Sequence, residues 1–361
     1  MPSLQKPPSL ESQPAHFSAL ASAATPEPLT LSPNGAAASD AASVDGSDPA
    51  RPAVAPRDSK SARRWLLIVG MLIAALLALE VVTRWKLFSA SKDLSRFGTY
   101  PERARALASA PGKRVAFVGN SLTERGVDTK QFETIANVSS DLFVADGSHV
   151  NTWYWMIERL FWKPALKPDL IVMNFYETGL EDGKRIELGR LAQFFVEPDD
   201  WMQVFKNDVT ELEPRVELVL SSFWATYAVR DRIKDRTLGM IPGYKRYTER
   251  MNDINFQHET KQMRAPHVAT TRHALARLCE RAREQGTPLL FVAFPSQGEH
   301  KPAYDVPRET IAVIEKNRHR YLDLRVVPEL KPEHYTDAVH LTPAGTAIYT
   351  RLLGAKLEGH M

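Results

Sequence analysis

Cysteine is almost missing from this 361-residue sequence: Cys279 stands alone. One thiol cannot close an intramolecular disulfide, so cysteine usage says nothing of compartment. Its setting, ALARLCERA, puts Cys279 on the apolar side of a helix, where it reads as a small packed hydrophobe. No CxxC pair, no HExxH and no other metal-ligand spacing occurs. An excess of one charge is missing too. The 46 Lys and Arg against 43 Asp and Glu leave a net charge of +3. A nucleic-acid binder would show a strong basic stripe; here the bases are interleaved with acids, which predicts no nucleic-acid partner. No internal repeat is found. Residues 1–62 have few aromatics and little periodicity and are rich in Pro, Ala and Ser. Such a segment buries too little apolar surface to offset its ordering entropy, so a disordered tail is expected. No apolar run follows the start, which argues against a secretory signal peptide.

The long apolar run comes later, as Trp65-LLIVGMLIAALLALEVVTR-Trp85. Crossing a hydrocarbon core of about 30 Å takes about 20 apolar residues as a helix. The run reaches that length if Glu80, its one charge between Trp65 and Val82, snorkels towards the interface. Trp65 and Trp85 sit where an aromatic belt places them. A transmembrane helix over 65–85 is therefore expected, the alternative being a buried helix of a soluble domain. Arg51, Arg57, Lys60, Arg63 and Arg64 precede it; Arg84, Lys86, Lys92 and Arg96 follow. The tight Arg63-Arg64 pair tips the positive-inside balance towards a cytoplasmic N-terminus in the cell membrane, with the large domain periplasmic or extracellular. Residues 86–112 read as a short juxtamembrane connector, partly helical and closed by Pro111-Gly112.

From residue 113 the pattern changes. KRVAFVGN, DLFVADGS (141–148), PDLIVMNF (168–175), TPLLFVAFPS (287–296) and YLDLRVV (321–327) are short apolar runs of the kind buried on both faces of a parallel sheet. Helical patterns alternate with them, which predicts a doubly wound α/β fold over 113–358. Residues 180–262 break the rhythm and carry Trp201, Phe205, Trp224, Tyr227, Tyr244 and Tyr247 among many charges. They read as a mostly helical insertion, its aromatics serving as core or as a lid over a cleft.

In a doubly wound sheet, sites gather beyond the carboxyl ends of the strands. The first strand ends Phe117-Val118-Gly119-Asn120-Ser121-Leu122-Thr123, which puts the Ser121 hydroxyl at that edge. The first N–H groups of the following helix point the same way and can hold a developing oxyanion. A serine at such a turn can also be no more than a helix cap. Near the other end stands Asp337-Ala338-Val339-His340-Leu341-Thr342-Pro343-Ala344-Gly345. Thr342 reads as an N-cap with Pro343 at the first helical position, so His340 lies in the loop before the last helix. His340 can take the Ser121 proton while Asp337 holds the imidazole tautomer. His149, after the second strand, and His300, after the fourth, lie on the same expected edge, as substrate contacts or as plain loop residues.

These two blocks resemble those of the SGNH hydrolases, also called the GDSL family, over about residues 114–350. GNSLT resembles the first block and DAVHLTPAG the last, DxxHxxxxG. The resemblance implies a flavodoxin-like three-layer α/β/α fold with a five-stranded parallel sheet, and ester chemistry by a Ser-Asp-His set. It also implies oxyanion donors from a Gly and an Asn in two middle blocks. The Gly is matched by Gly147, which reads equally as a turn glycine. For the Asn, superposition puts Thr178 at the expected place; Asn174, earlier in the third strand, and Asn151, near the second block, are the alternatives.

The expected activity is that of a membrane-anchored esterase or O-acyltransferase working through an acyl-enzyme on Ser121. The expected substrates are ester-bearing envelope polysaccharides or lipids, with no cofactor implied. The alternative is a degenerate relative of the same fold, serving as an envelope assembly or binding factor.

Overall fold

The computed structural model describes residues 59–182, 186–244, 246–247, 271–297 and 302–358. The expected tail up to residue 58, part of the insertion, and His300 lie outside the described residues.

Helix α1, Ser59–Val82, continues through a π-turn, Thr83–Leu87. Among the described residues one helical run, Arg63–Ala90, is long and apolar enough to cross a membrane. Its large apolar side chains from Trp65 to Val82 are exposed. Glu80 does not snorkel outward as expected. Its carboxylate accepts from the amides of Ala225 and Thr226, both at 2.8 Å, and from the Thr226 hydroxyl at 2.8 Å. Arg84 Nε adds an ion pair at 2.7 Å. The acid is thus spent on capping a helix of the insertion, a partner 145 residues away.

Within the expected connector, 86–112, residues 92–108 form one helix, α2 (Lys92–Ala108). Leu94, Phe97, Tyr100, Ala104 and Leu107 recur at helical spacing and are buried against the sheet. Tyr100 Oη donates to the Val144 carbonyl at 2.7 Å, tying the helix to the second strand.

The chain then runs β1 (Arg114–Gly119), α3 (Ser121–Gly126), α4 (Thr129–Ala136), β2 (Ser139–Val144), α5 (Val150–Ile157) and β3 (Leu170–Phe175). The insertion follows: a short helix Leu188–Arg190, then α6 (Trp201–Asn207), α7 (Leu212–Phe223), α8 (Ala225–Ala228) and α9 (Arg230–Leu238). The last part is α10 (His273–Gln285), β4 (Leu289–Ala293), α11 (Arg308–Lys316), β5 (Arg320–Asp323) and α12 (Pro343–Glu358).

The five strands form one sheet in the order β2-β1-β3-β4-β5, and every pair is parallel. This is the flavodoxin-like order. Alternation along each strand divides the core. Ala116, Val118, Ile171, Met173 and Phe291 face α2, α5, α10 and the insertion. Val115, Phe117, Val172 and Val292 face α4 and α12 through Phe132, Tyr349 and Leu353. Cys279 is buried on α10, and burial pushes its thiol up to about 12.

Two strands end earlier than their apolar runs suggest. β5 stops at Asp323 because Arg325 folds back onto it, with N to Oδ1 at 3.1 Å and Nη2 to Oδ2 at 2.7 Å. β2 stops at Val144, where Asp146, Gly147 and Ser148 turn away.

Candidate active site

The order 2-1-3 reverses direction at β1, so the loops beyond β1 and β3 splay apart into a crevice. Ser121 stands at the mouth of it, immediately after β1. Asn120, not Ser121, is the N-cap of α3: its side-chain oxygen accepts from Leu122 N at 3.0 Å. Ser121 is therefore the first helical residue, and its hydroxyl is free to work elsewhere. It lies 2.8 Å from His340 Nε2.

Gly119 makes the sharp approach possible. A Cβ there would stand 2.2 Å from Thr123 Oγ1. Gly119→Ala is expected to cost about 1–3 kcal/mol by overpacking. Adding Thr123→Ala should recover part of that loss, which thermal melts of the single and double variants would show as non-additivity.

On the other side, residues 335–341 form a small closed loop. Tyr335 bridges Leu341, and Thr336 N donates to the His340 carbonyl at 2.8 Å. Asp337 caps the inside of that loop through Oδ1, which accepts from Val339 N at 3.0 Å and His340 N at 2.9 Å. Its other oxygen, Oδ2, meets His340 Nδ1 at 2.8 Å. The Asp-x-x-His spacing thus lets one carboxylate fold the loop and orient the ring. Burial acts to raise the Asp337 carboxyl, but the two amides and the imidazole outweigh it and hold it at about 2. Thr342 caps α12 as expected, with Gly345 N to Thr342 Oγ1 at 3.3 Å. Gly345 is needed because a Cβ would come within 2.4 Å of the His334 carbonyl backing the loop.

The residues named from sequence divide into two groups. Ser121, His340 and Asp337 come together in one hydrogen-bonded chain. Gly147 lies in the loop after β2 and takes φ +67°, which favours glycine. Its loop is tied to the nucleophile turn by Asn120 Nδ2, which donates to the Ser148 carbonyl at 3.1 Å. His149 is half-buried at the N-terminus of α5, next to that loop.

The two asparagines make other contacts. Asn174 is fully buried in β3 on the α12 face, where its Oδ1 accepts from Tyr349 Oη at 2.8 Å. Burial raises the Tyr349 phenol well above its ordinary value, so it remains a neutral donor. Asn151 sends Nδ2 to Asp208 Oδ1 at 3.2 Å, in a cluster that Trp155 and Arg277 complete. Thr178 is half-buried in the turn after β3, which Gly179 N closes onto the Tyr176 carbonyl at 2.9 Å.

Sequence reasoning missed two arginines. Arg190 is buried, 8% exposed, and its Nη1 donates to the Asp146 carbonyl at 2.6 Å. Arg96 pairs with Glu124 of α3 at 2.7 Å and with Asp146 at 3.4 Å. In a trans peptide the C=O and N–H point in opposite directions. A guanidinium gripping the Asp146 carbonyl therefore turns the Gly147 N–H away from Arg190.

No family model and no curated protein matches the sequence. The chain has a distant likeness to solved structures. A GDSL-like lipase from Bacteroides thetaiotaomicron is 16% identical with a TM-score of 0.34, covering 73% of this chain and 100% of its own. A candidate acylhydrolase from Bacteroides fragilis is 14% identical with a TM-score of 0.35, covering 74% of this chain and 99% of its own. What the site can do follows from the chain's own side chains.

Proposed function

We propose that this chain is a membrane-anchored serine esterase or O-acyltransferase of the SGNH type, its catalytic domain outside the cytoplasm. The observation that carries the proposal is the pair of 2.8 Å links joining Ser121 to His340 and His340 to Asp337. Both fall in the range expected of a nucleophile, its base and the group that orients the base.

The ionised Asp337 accepts from Nδ1–H, which leaves Nε2 as the acceptor for the Ser121 hydroxyl. Ser121 Oγ attacks the acyl carbon and its proton passes to Nε2. The negative charge moves to the former carbonyl oxygen. In this reading the Ser121 amide, unclaimed by the helix because it lies in the first turn, and the Gly147 amide receive it. Collapse expels the alcohol, which takes the proton from Nε2. Water or a carbohydrate hydroxyl then gives its proton to Nε2 and attacks the acyl carbon; collapse breaks the bond to Ser121 Oγ, which takes the proton back from Nε2. The apolar helix before the domain favours acyl groups on envelope polysaccharides or lipids near the bilayer.

The full chain in detergent, given short- and long-chain nitrophenyl esters with and without an oligosaccharide acceptor, tests this reading. Ester cleavage above the buffer rate, partitioned by the acceptor, is expected. No cleavage of any ester would count against it. One observation favours the second reading, a non-catalytic envelope factor: Asn151 Nδ2 is held by Asp208, and Asn174 is fully buried in β3 with its side-chain oxygen on Tyr349.

Arg190 offers a further check. Arg190→Met keeps the volume and removes the grip on the Asp146 carbonyl. A drop in kcat of about 10–100-fold with little change in KM is expected. A purely structural arginine would lower the melting temperature and leave kcat of the folded fraction unchanged.

A further inference from the structure

Helix α7 carries an apolar row that nothing among the described residues covers. Leu212, Val216, Leu220 and Phe223 lie at i, i+4, i+8 and i+11 on one helical face, and all are exposed, Leu212 at 77% and Phe223 at 66%. The face packed inward carries Leu218 and Ser221. Met202, at 80% exposure, follows Trp201, whose ring meets that of Phe223 at 5.6 Å and widens the patch.

The row ends on α1. Arg84 Nη2 donates to the Phe223 carbonyl at 3.1 Å, and Glu80 holds the amides of Ala225 and Thr226. The insertion therefore docks at residues 80–84 of the apolar helix. That helix stays apolar and exposed past the dock: Val81 is 60% exposed, Val82 54% and Trp85 72%. At a rise of about 1.5 Å per residue, Trp85 stands about 7 Å further along than Glu80. A tryptophan ending an apolar span belongs at the bilayer interface. The dock then lies beneath the interface, and Phe223 enters the same apolar layer. Glu80 tolerates that depth because Arg84 and three donors of the insertion pair it.

We propose that α7 lies in the membrane interface, with Leu212, Val216, Leu220 and Phe223 among the acyl chains of the leaflet where α1 ends. The proposal rests on reading α1 as a membrane span. The occupant is the lipid surface itself, because the row is continuous with the span. The same helix packs on the Leu188–Arg190 segment, which α8 also approaches so closely that a Cβ on Gly189 would clash with the Ala228 carbonyl. Arg190 of that segment holds the Asp146 carbonyl. A rigid line of contacts thus joins the lipid-facing row to the loop beside Ser121 and sets the height of the site above the bilayer.

The test uses the full chain in phosphatidylcholine vesicles. Leu212→Cys, Phe223→Cys, Leu72→Cys and, on an exposed position of the domain, Glu329→Cys are labelled one at a time with a polarity-sensitive fluorophore; the buried Cys279 stays unlabelled. Lipid spin-labelled near the headgroup is expected to quench the probes at 212 and 223 at least twofold and to leave the probe at 329 unchanged. Quenching at 72 by lipid labelled deep in the chain, without quenching at 212 and 223, overturns the proposal and leaves the span standing. No quenching at 72 either overturns the span and the proposal together. Shielding at 212 and 223 that disappears at one chain per nanodisc identifies a second copy as the occupant and also overturns it.

Discussion

Ser121→Ala is expected to lower turnover of an activated ester by about 10⁴–10⁶-fold, the range that loss of a triad nucleophile costs. The fold should not pay for it. Asn120 caps α3, so the Ser121 hydroxyl has no structural duty there, and alanine suits the first turn of a helix. A change in stability within about 0.5 kcal/mol is expected. What remains of the rate would come from the amides of Ser121 and Gly147, which the substitution leaves in place. Steady-state rates beside thermal melts of both proteins check the two halves together. A variant that keeps activity within tenfold of the parent would remove Ser121 from the chemistry. The reading built on Ser121 would then fall, and the activity would belong to another nucleophile.

Asp337→Asn is expected to lower kcat by about 10²–10⁴-fold while the loop stays closed. The amide oxygen can still accept from Val339 N and His340 N, as Oδ1 does now. The amide nitrogen would face His340 Nδ1, where a carboxylate oxygen accepts today. Two donors cannot share that contact, so the ring proton moves to Nε2 and the base is lost to Ser121. The range sits below that of a fully buried acid because the Asp337 side chain is 52% exposed. The pH dependence follows from the same carboxylate. Its folded value, about 2, lies below its ordinary 3.8. The unfolded chain therefore binds the proton more readily, and stability rises with pH through this window. The contribution is present above about pH 3.8 and is lost as pH falls through 2. Melting temperatures from pH 5 to pH 2 should fall more steeply for the parent than for Asp337→Asn. Any loss of activity on acidification that sets in well above pH 4 has another origin than this carboxylate.

Local patterns carried the parts of the molecule that depend on neighbours in the chain. Buried runs such as Val115–Val118 and Ile171–Phe175 announced a parallel sheet, because strands covered on both faces have no polar side. Ser121 was visible as a hydroxyl at a strand end, and Asp337 and His340 as a pair at a spacing that one loop can close. Asn120 was also within reach: an Asn directly before a helix is the residue type that caps. Alternation along β3 places Asn174 with Val172 on the α12 face, and only the tyrosine on that helix shows what its side-chain oxygen meets. Within 86–112 only part of the helix is legible, because the charges and Pro101 of Lys92–Ala108 hide a row of buried residues at helical spacing. The rest depends on partners far apart in sequence. Arg190 and Asp146 are 44 residues apart, and Glu80 and Thr226 are 146 apart. No periodicity reports such pairs, and they hold the loop beside Ser121 and the end of the apolar helix.

The central claim is that His340 and Asp337 make Ser121 a nucleophile. Treating the full chain with a fluorophosphonate and locating the adduct by peptide mass spectrometry tests it most directly. The account predicts a single adduct on Ser121, absent from Ser121→Ala and formed much more slowly in His340→Ala. An unlabelled parent protein, or equal labelling of Ser121→Ala, would contradict it.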